Sequence, residues 1–129
     1  MTPVDPHGLL AHVHPDLVKV ILAASQDPQA FEVIQGLRTV AQEQAAVASG
    51  HSQTMHSRHL PNAQGVACAV DVAALVAGHI AWAPASLYAI IAGEVKGAAR
   101  TLGIPVEWGG DWATLKDYGH FQLPWKEYP

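Results

Sequence analysis

The residue types best suited to chemistry lie in two separate segments of the chain. One segment contains His59 and Asp71, and the other contains Asp117 and, three residues later, His120. Two imidazoles and one carboxylate can hold Zn²⁺ and leave its fourth position to water, while a carboxylate outside the ligand set serves as general base. We therefore predict a hydrolytic zinc site with the ligands His59, Asp71 and His120. Asp117 is the predicted base.

Composition limits the class of protein to which this chain can belong. Of its 129 residues, 50% are apolar and 14% are charged, which suits one globular domain with a sizeable core but no second full domain. The formal net charge is -4 with the histidines neutral, and no cluster of Lys and Arg is present. We therefore expect residues 1–129 to form a single catalytic domain that does not bind nucleic acid.

Cysteine usage and apolar runs bear on where the protein is made. Cys68 is the only cysteine, so no internal disulfide is possible, which suits a reducing cytoplasm. The N-terminus lacks the pattern of a secretory signal. The longest apolar region, residues 81–92, is interrupted by Pro84 and is too short to span a bilayer. We expect no membrane insertion, and we expect another protein to give access to any target outside the cytoplasm.

Helical and strand patterns alternate along the chain without a regular βαβ repeat. Starting residues and apolar spacing predict helices over residues 14–24, 40–48 and 84–102. Strand patterns cover residues 31–35, 67–75, 78–82, 104–108 and 120–123. A polar loop is expected over the site at residues 51–65, and residues 124–129 look peripheral. The predicted class is α+β, a small antiparallel sheet with packed helices.

These elements would place two further side chains near the site. Arg38 lies where a strand leads into a helix, a position from which side chains can face a cleft. Its guanidinium would stabilise a developing oxyanion or hold a substrate carboxylate, although a surface salt bridge is the alternative. Ser57 lies two residues before His59, where it would bond to substrate or orient the site.

With these residues assembled, the chain resembles a family of zinc peptidases. The family includes D-alanyl-D-alanine carboxypeptidases, vancomycin-resistance dipeptidases and many bacteriophage endolysins. Its pattern is Ser-x-His, then Ala-x-Asp, then Asp or Glu followed three residues later by His. The matching segments here are Ser57-x-His59, Ala69-x-Asp71 and Asp117-x-x-His120. Segments between residues 14 and 123 are similar to the phage endolysin branch, so the likeness covers nearly the whole chain.

The resemblance implies an activity, a cofactor and a fold. It implies a Zn²⁺-dependent endopeptidase that cleaves the L-alanyl-D-glutamate bond of peptidoglycan stem peptides during host cell lysis. The fold it implies is the one shared with Hedgehog signalling domains. Phages of Gram-negative hosts often make such enzymes as a catalytic domain without a cell-wall-binding domain. We expect a monomer, made in the host cytoplasm, that acts on the periplasmic wall after release by another protein.

The ligand spacing departs from the family pattern and leaves alternatives open. His59 and Asp71 are twelve residues apart, farther than in many relatives, because residues 61–66 look like an inserted loop. His51 or His56 is therefore an alternative ligand. A Cys68 thiolate is another, since soft sulfur binds zinc well, although a buried small apolar residue is the simpler interpretation.

Other residues and other functions compete with these predictions. Glu107 competes with Asp117 for the base role, but its strand position favours a structural or cleft-lining residue. Trp108 and Trp112 would form the floor of a substrate groove or belong to the core.

The alternative functions are a D-alanyl-D-alanine carboxypeptidase and a non-catalytic module in which the metal only holds loops together. The presence of Asp117 beside His120 favours a catalytic function over a non-catalytic module. Cobalt or manganese would support chemistry similar to that of zinc.

Overall fold

The structure, a computed structural model, describes residues 3–50, 57–114 and 116–129. In these ranges the α-helices are α1 (Pro15–Ala23), α2 (Val40–Ala48) and α3 (Ala85–Leu102). The strands are β1 (Ala30–Gln35), β2 (Ala69–Val76), β3 (His79–Ala81), β4 (Glu107–Trp108) and β5 (His120–Gln122). Short 3₁₀ helices cover Leu9–His12 and Gly109–Asp111. The predicted α+β class with a small antiparallel sheet is confirmed.

The sheet is built around β2. Its strand order is β1-β2-β5-β4, with β3 also paired to β2, and every pairing is antiparallel. In this register Asp71 lies opposite Gln35 on one side and opposite His120 on the other. Strand pairing thus brings two of the predicted site residues, remote in sequence, directly beside each other.

One face of the sheet packs with α1 and α3 in the hydrophobic core. Buried residues of this core include Leu17, Val20, Ile21, Ile91, Val95, Val70, Val72 and Phe121. Because successive strand residues point to opposite faces, Val70 and Val72 face the core while Asp71 faces away from it. In β5, Phe121 faces the core, so the residues on both sides of it face the same way as Asp71.

Not all of the apolar residues of α1 and α3 are buried. Leu22 of α1 and Ile90 and Leu102 of α3 are 61%, 40% and 43% exposed. Adjacent residues on a helix are about 100° apart, so Ile21 and Ile91 take the core positions and their neighbours turn outward. Among the described residues, no helix has both the length and the apolar character needed to cross a membrane.

The strand predicted at residues 104–108 is shorter than expected. Gly103 ends α3 in the left-handed conformation, at φ 70°, and the Ile104 N–H returns to the carbonyl of Ala99 at 3.0 Å. This helix termination uses the residues that the pattern assigned to a strand. Pro105 has no N–H to donate to a sheet, so pairing begins only at Glu107.

Residues 124–129 lie mostly at the surface, but the chain end is anchored to the rest of the structure. The Tyr128 hydroxyl donates to Asp16 Oδ2 at 2.8 Å, and the Tyr128 carbonyl accepts from Arg58 Nη2. The Arg58 guanidinium also lies 3.9 Å from the centroid of the Trp125 ring. These contacts hold the tail against α1 and against the segment that leads into His59.

We expect Tyr128→Phe to lower the free energy of unfolding by about 1.5–3 kcal/mol, the range for a hydrogen bond to a charged partner. The substitution removes the bond to Asp16, which raises the pKa of Tyr128 to about 12. Urea denaturation at neutral pH measures the change. Tyr118→Phe, at a ring that is 42% exposed, is the matched control. Equal stabilities of the Tyr128→Phe variant and the parent would contradict an anchoring role for the tail.

Candidate metal centre

The three residues predicted as ligands meet on the face of the sheet opposite to Val70, Val72 and Phe121. His59, Asp71 and His120 each offer one ligand atom, and these atoms all lie within 4.8 Å of one another. His59 Nε2 is 3.1 Å from Asp71 Oδ2, and His120 Nδ1 is 3.0 Å from Asp71 Oδ1. The two imidazole rings are 5.1 Å apart and nearly perpendicular. One carboxylate therefore bridges two rings.

Backbone contacts from the end of β1 hold His59 in this position. Its Nδ1 lies 2.8 Å from the Gly36 carbonyl oxygen, and its own carbonyl accepts from the Arg38 N–H at 2.8 Å. A side chain at Gly36 would not fit, because its Cβ would lie 2.5 Å from the carbonyl oxygen of Leu9. The His59 N–H donates to Ser57 Oγ at 3.1 Å.

The long separation between His59 and Asp71 is absorbed by a compact turn centred on Asn62. The Asn62 Oδ1 accepts from the N–H groups of Gln64 and Val66 at 2.9 and 3.2 Å. The Cys68 N–H then donates to the Arg58 carbonyl at 3.0 Å, which closes the loop beside His59. The apparent insertion therefore folds on itself and leaves the start of β2 in register.

The hydrogen-bonding roles of His59 indicate a nitrogen prepared for a cation. The Gly36 carbonyl can only accept, so Nδ1 of His59 carries the hydrogen and Nε2 keeps a lone pair. That Nε2 is buried and makes no hydrogen bond within the described structure. A lone pair facing the oxygen of Asp71 is unfavourable unless positive charge lies between them.

The electrostatics of His59, Asp71 and His120 also favour a positive charge between these three side chains. Burial alone would raise the pKa of Asp71, but the adjacent rings of His59 and His120 outweigh it and hold that pKa below its ordinary value. Burial would lower the pKa of His120, but the hydrogen bond and charge of Asp71 raise it. Two nitrogens and one oxygen of this kind could hold a divalent ion, and the donor set fits Zn²⁺.

Asp117 lies next to this group without being part of it. Its N–H donates to the Gly109 carbonyl at 3.2 Å and its carbonyl accepts from the His120 N–H at 3.3 Å. Although Asp117 is exposed at the surface, partial burial of its carboxyl group and the charge of Asp71 raise its pKa. A carboxylate with a raised pKa is suited to accept a proton and return it.

A cavity of about 330 Å³ opens beside both carboxylates. Asp71 and Asp117 contribute to its wall, together with the largely apolar side chains of Ile34, Trp82 and Tyr88. On another side of the group, the Trp112 ring lies 5.2 Å from the ring of His120. The candidate centre is therefore bordered by a cleft with aromatic walls.

Arg38 forms an ion pair with Glu43, a residue that the sequence patterns did not single out. Its Nη1 lies 2.5 Å from Glu43 Oε2, and the Glu43 side chain is fully buried. Burying a carboxylate is costly unless a cation pairs with it, so Arg38 allows α2 to pack with Glu43 inside. The one signal available in the sequence is that Glu43 is the only charged residue of α2.

The alternative site residues fall outside the group or outside the described residues. His51 and His56 lie in residues 51–56, which the structure does not describe. Cys68 belongs to the hydrophobic core, and burial raises the pKa of its thiol. Glu107 accepts a hydrogen bond from Gln122 Nε2 at 3.0 Å, and Gln122 also contacts the ring of His120. No motif pointed to Gln122.

Comparisons with known proteins agree with one another. The family model described as phage L-alanyl-D-glutamate peptidase matches residues 6–122. The L-alanyl-D-glutamate peptidase of Escherichia phage T5 is 33% identical over 113 residues, which cover 84% of this chain and 79% of that protein. A protein of the same name from Listeria phage A118 is 34% identical over 96 residues, covering 74% of this chain but 31% of that protein.

A solved structure is also similar. The Serratia marcescens L-Ala D-Glu endopeptidase ChiX superposes with a TM-score of 0.83 and is 48% identical. The match covers 94% of this chain and 87% of that chain. The likeness therefore extends over the sheet, the helices and the segments that carry the candidate metal centre.

Metal content tests the ligand group. Residues that merely support ligands change metal affinity by about 10–100-fold, so we expect His59→Ala, Asp71→Asn and His120→Ala each to lower zinc affinity by more than about 100-fold. Equilibrium dialysis followed by elemental analysis measures the effect. Cys68→Ala is the control and should keep zinc, because its side chain lies in the core. If Cys68→Ala loses zinc as completely as Asp71→Asn, the ligand set is wrong.

Proposed function

This chain belongs to the phage L-alanyl-D-glutamate peptidase family, and from that premise we propose that it is a zinc-dependent endolysin cleaving the L-Ala-D-Glu bond of peptidoglycan stem peptides. The observation that carries the proposal is the convergence of His59, Asp71 and His120 beside Asp117. A metal site that only held loops together would need no carboxylate with a raised pKa next to it.

The proposed mechanism divides the work between the metal and the protein. Zn²⁺ held by His59 Nε2, the Asp71 carboxylate and His120 Nδ1 would supply Lewis acidity, which activates water and polarises the scissile carbonyl. Asp117 would accept the proton of the attacking water and pass it to the leaving amine of D-glutamate. Burial and the nearby charge of Asp71, which raise the pKa of Asp117, support the second transfer.

Arg38 and Ser57 are proposed to act from the edge of the site. A guanidinium has five N–H donors, so Arg38 can pair with Glu43 and still present donors to an oxyanion or a stem-peptide carboxylate. Ser57 accepts the N–H of His59, which supports a role in orienting that ligand. The cavity beside Asp71 and Asp117 would accommodate the peptide on one side of the scissile bond.

The setting of the reaction is part of the same proposal. Peptidoglycan is the proposed partner, and neither nucleic acid nor a membrane is required. Synthesis in the host cytoplasm, action on the periplasmic wall after release by another protein, and a monomeric state remain predictions from the sequence.

The bond that is cleaved can be identified from the products. We expect the zinc-loaded protein to release peptides that begin with D-glutamate from purified Gram-negative peptidoglycan and to leave L-alanine on the glycan strand. Liquid chromatography with mass spectrometry identifies both products. A chelator should stop the release and added zinc should restore it. Release of free D-alanine without stem peptides would instead indicate a carboxypeptidase.

The base is tested by Asp117→Asn. We expect this substitution to lower kcat by about 10²–10⁴-fold, the usual contribution of general acid–base catalysis, without loss of zinc. Stem-peptide release is the activity assay and elemental analysis gives the zinc content. Asp27→Asn, at an exposed position between α1 and β1, is the matched control and should keep full activity. A zinc-loaded Asp117→Asn protein as active as the parent would remove Asp117 from the mechanism.

A further inference from the structure

We infer that Gln122 is a positioning residue which, held by Glu107, fixes His120 in the tautomer that leaves Nδ1 free for the metal. The inference rests on the proposed metal site and adds two residues to it. It is carried by two hydrogen bonds: Gln122 Nε2 donates to Glu107 Oε1, and the amide oxygen of Gln122 accepts from His120 Nε2.

The Glu107 carboxylate determines which groups donate and which accept in this row of hydrogen bonds. The Glu107 carboxylate accepts hydrogen bonds, so the group that Gln122 turns toward it is the amide nitrogen, with Nε2 3.0 Å from Oε1 of Glu107. The amide oxygen of Gln122 must then face the other way, and it lies 2.8 Å from His120 Nε2. An amide oxygen can only accept, so this ring nitrogen carries the hydrogen. A neutral His120 then keeps its lone pair on Nδ1.

The sheet register builds this row of side chains. Glu107 lies directly opposite Gln122 in the β4–β5 pair, and His120 lies directly opposite Asp71 in the β5–β2 pair. His120 and Gln122 are two residues apart in β5, so they share one face of the sheet. Gln122 is 8% exposed, so water competes little for its hydrogen bonds.

The hydrogen bonds of Glu107 and Gln122 act against the attraction of Asp71 for the ring hydrogen of His120. Asp71 Oδ1 lies 3.0 Å from His120 Nδ1 and, in the absence of metal, attracts a hydrogen to the atom that must be free for ligation. Without Glu107, the Gln122 amide could also turn its NH₂ toward the ring, which would favour the same wrong tautomer. Glu107 and Gln122 together therefore bias His120 toward the form that binds metal.

The tautomer itself can be observed in the metal-free protein. Long-range ¹H–¹⁵N correlation spectra distinguish the two ring nitrogens of His120. They are recorded at a pH high enough that the His120 signals no longer change with pH, so that the ring is neutral. We expect the hydrogen on Nε2 in the parent and a shift of population toward Nδ1–H in both Glu107→Gln and Gln122→Leu. A parent protein with the hydrogen on Nδ1 would overturn the inference. This reading needs no zinc, so it remains informative even if the proposed metal site fails.

Zinc affinity is the second measurement. A double variant in which Glu107 and Gln122 are exchanged tests whether the lost affinity can be restored. Competition with a chromogenic chelator should show affinity lower by about 10–100-fold in Glu107→Gln and in Gln122→Leu, as for other residues that orient ligands. The double variant Glu107→Gln/Gln122→Glu restores an amide donor facing a carboxylate and an acceptor facing His120. It should bind zinc more tightly than Glu107→Gln alone.

Controls separate positioning from general damage. Glu127→Gln removes an exposed carboxylate from the tail and should leave zinc affinity unchanged. Glu107 is itself exposed, so Glu107→Gln keeps the test valid if the buried Gln122→Leu variant fails to fold. At saturating zinc, Glu107→Gln should recover parental KM. A folded Glu107→Gln protein that binds zinc as tightly as the parent, or an exchanged pair no better than Glu107→Gln, would overturn the inference.

Discussion

The carboxylate of Asp71, placed between two imidazole rings, is the contact on which the rest of the structure depends. Its oxygens lie 3.1 Å from His59 Nε2 and 3.0 Å from His120 Nδ1. Charge of this kind is tolerated within a fold only when it is paired and hydrogen-bonded. The surrounding chain directs the hydrogen of His59 Nδ1 to Gly36 and turns an amide oxygen of Gln122 toward His120, so that neutral rings present lone pairs to Asp71. Positive charge between the rings is then favourable.

Strand parity keeps this polar group apart from the hydrophobic core. Val70 and Val72 face the helices while Asp71, between them, faces the site. A slip of one residue in the β2–β5 pairing would exchange the two faces and bury the carboxylate among apolar side chains. The same packing that stabilises the domain therefore also fixes the register of the site. Core and chemistry occupy opposite faces of one small sheet.

Contacts remote from the chemistry hold the one ligand that is not on a strand. His59 lies in a loop, and its position depends on backbone bonds to the Gly36–Arg38 segment and on the Asn62 turn. Arg38 in turn neutralises the buried Glu43 of α2, and the tail packs on Arg58 through Trp125. Rigidity in such a loop limits the reorganisation needed on binding a metal.

Sequence alone determined the class of the fold, the bounds of the helices to within a residue or two, and the residues that converge at the candidate centre. These features are local or periodic: a His or Asp in a spaced motif and an apolar stripe can be read without knowing the neighbours. Only the tertiary structure revealed Gln122, Glu43 and the anchored tail. Gln122 matters because Glu107 lies directly opposite it on the neighbouring strand. Glu43 matters because Arg38 pairs with it inside the fold. Such roles depend on pairs brought together by register and packing, which no single stretch of sequence encodes.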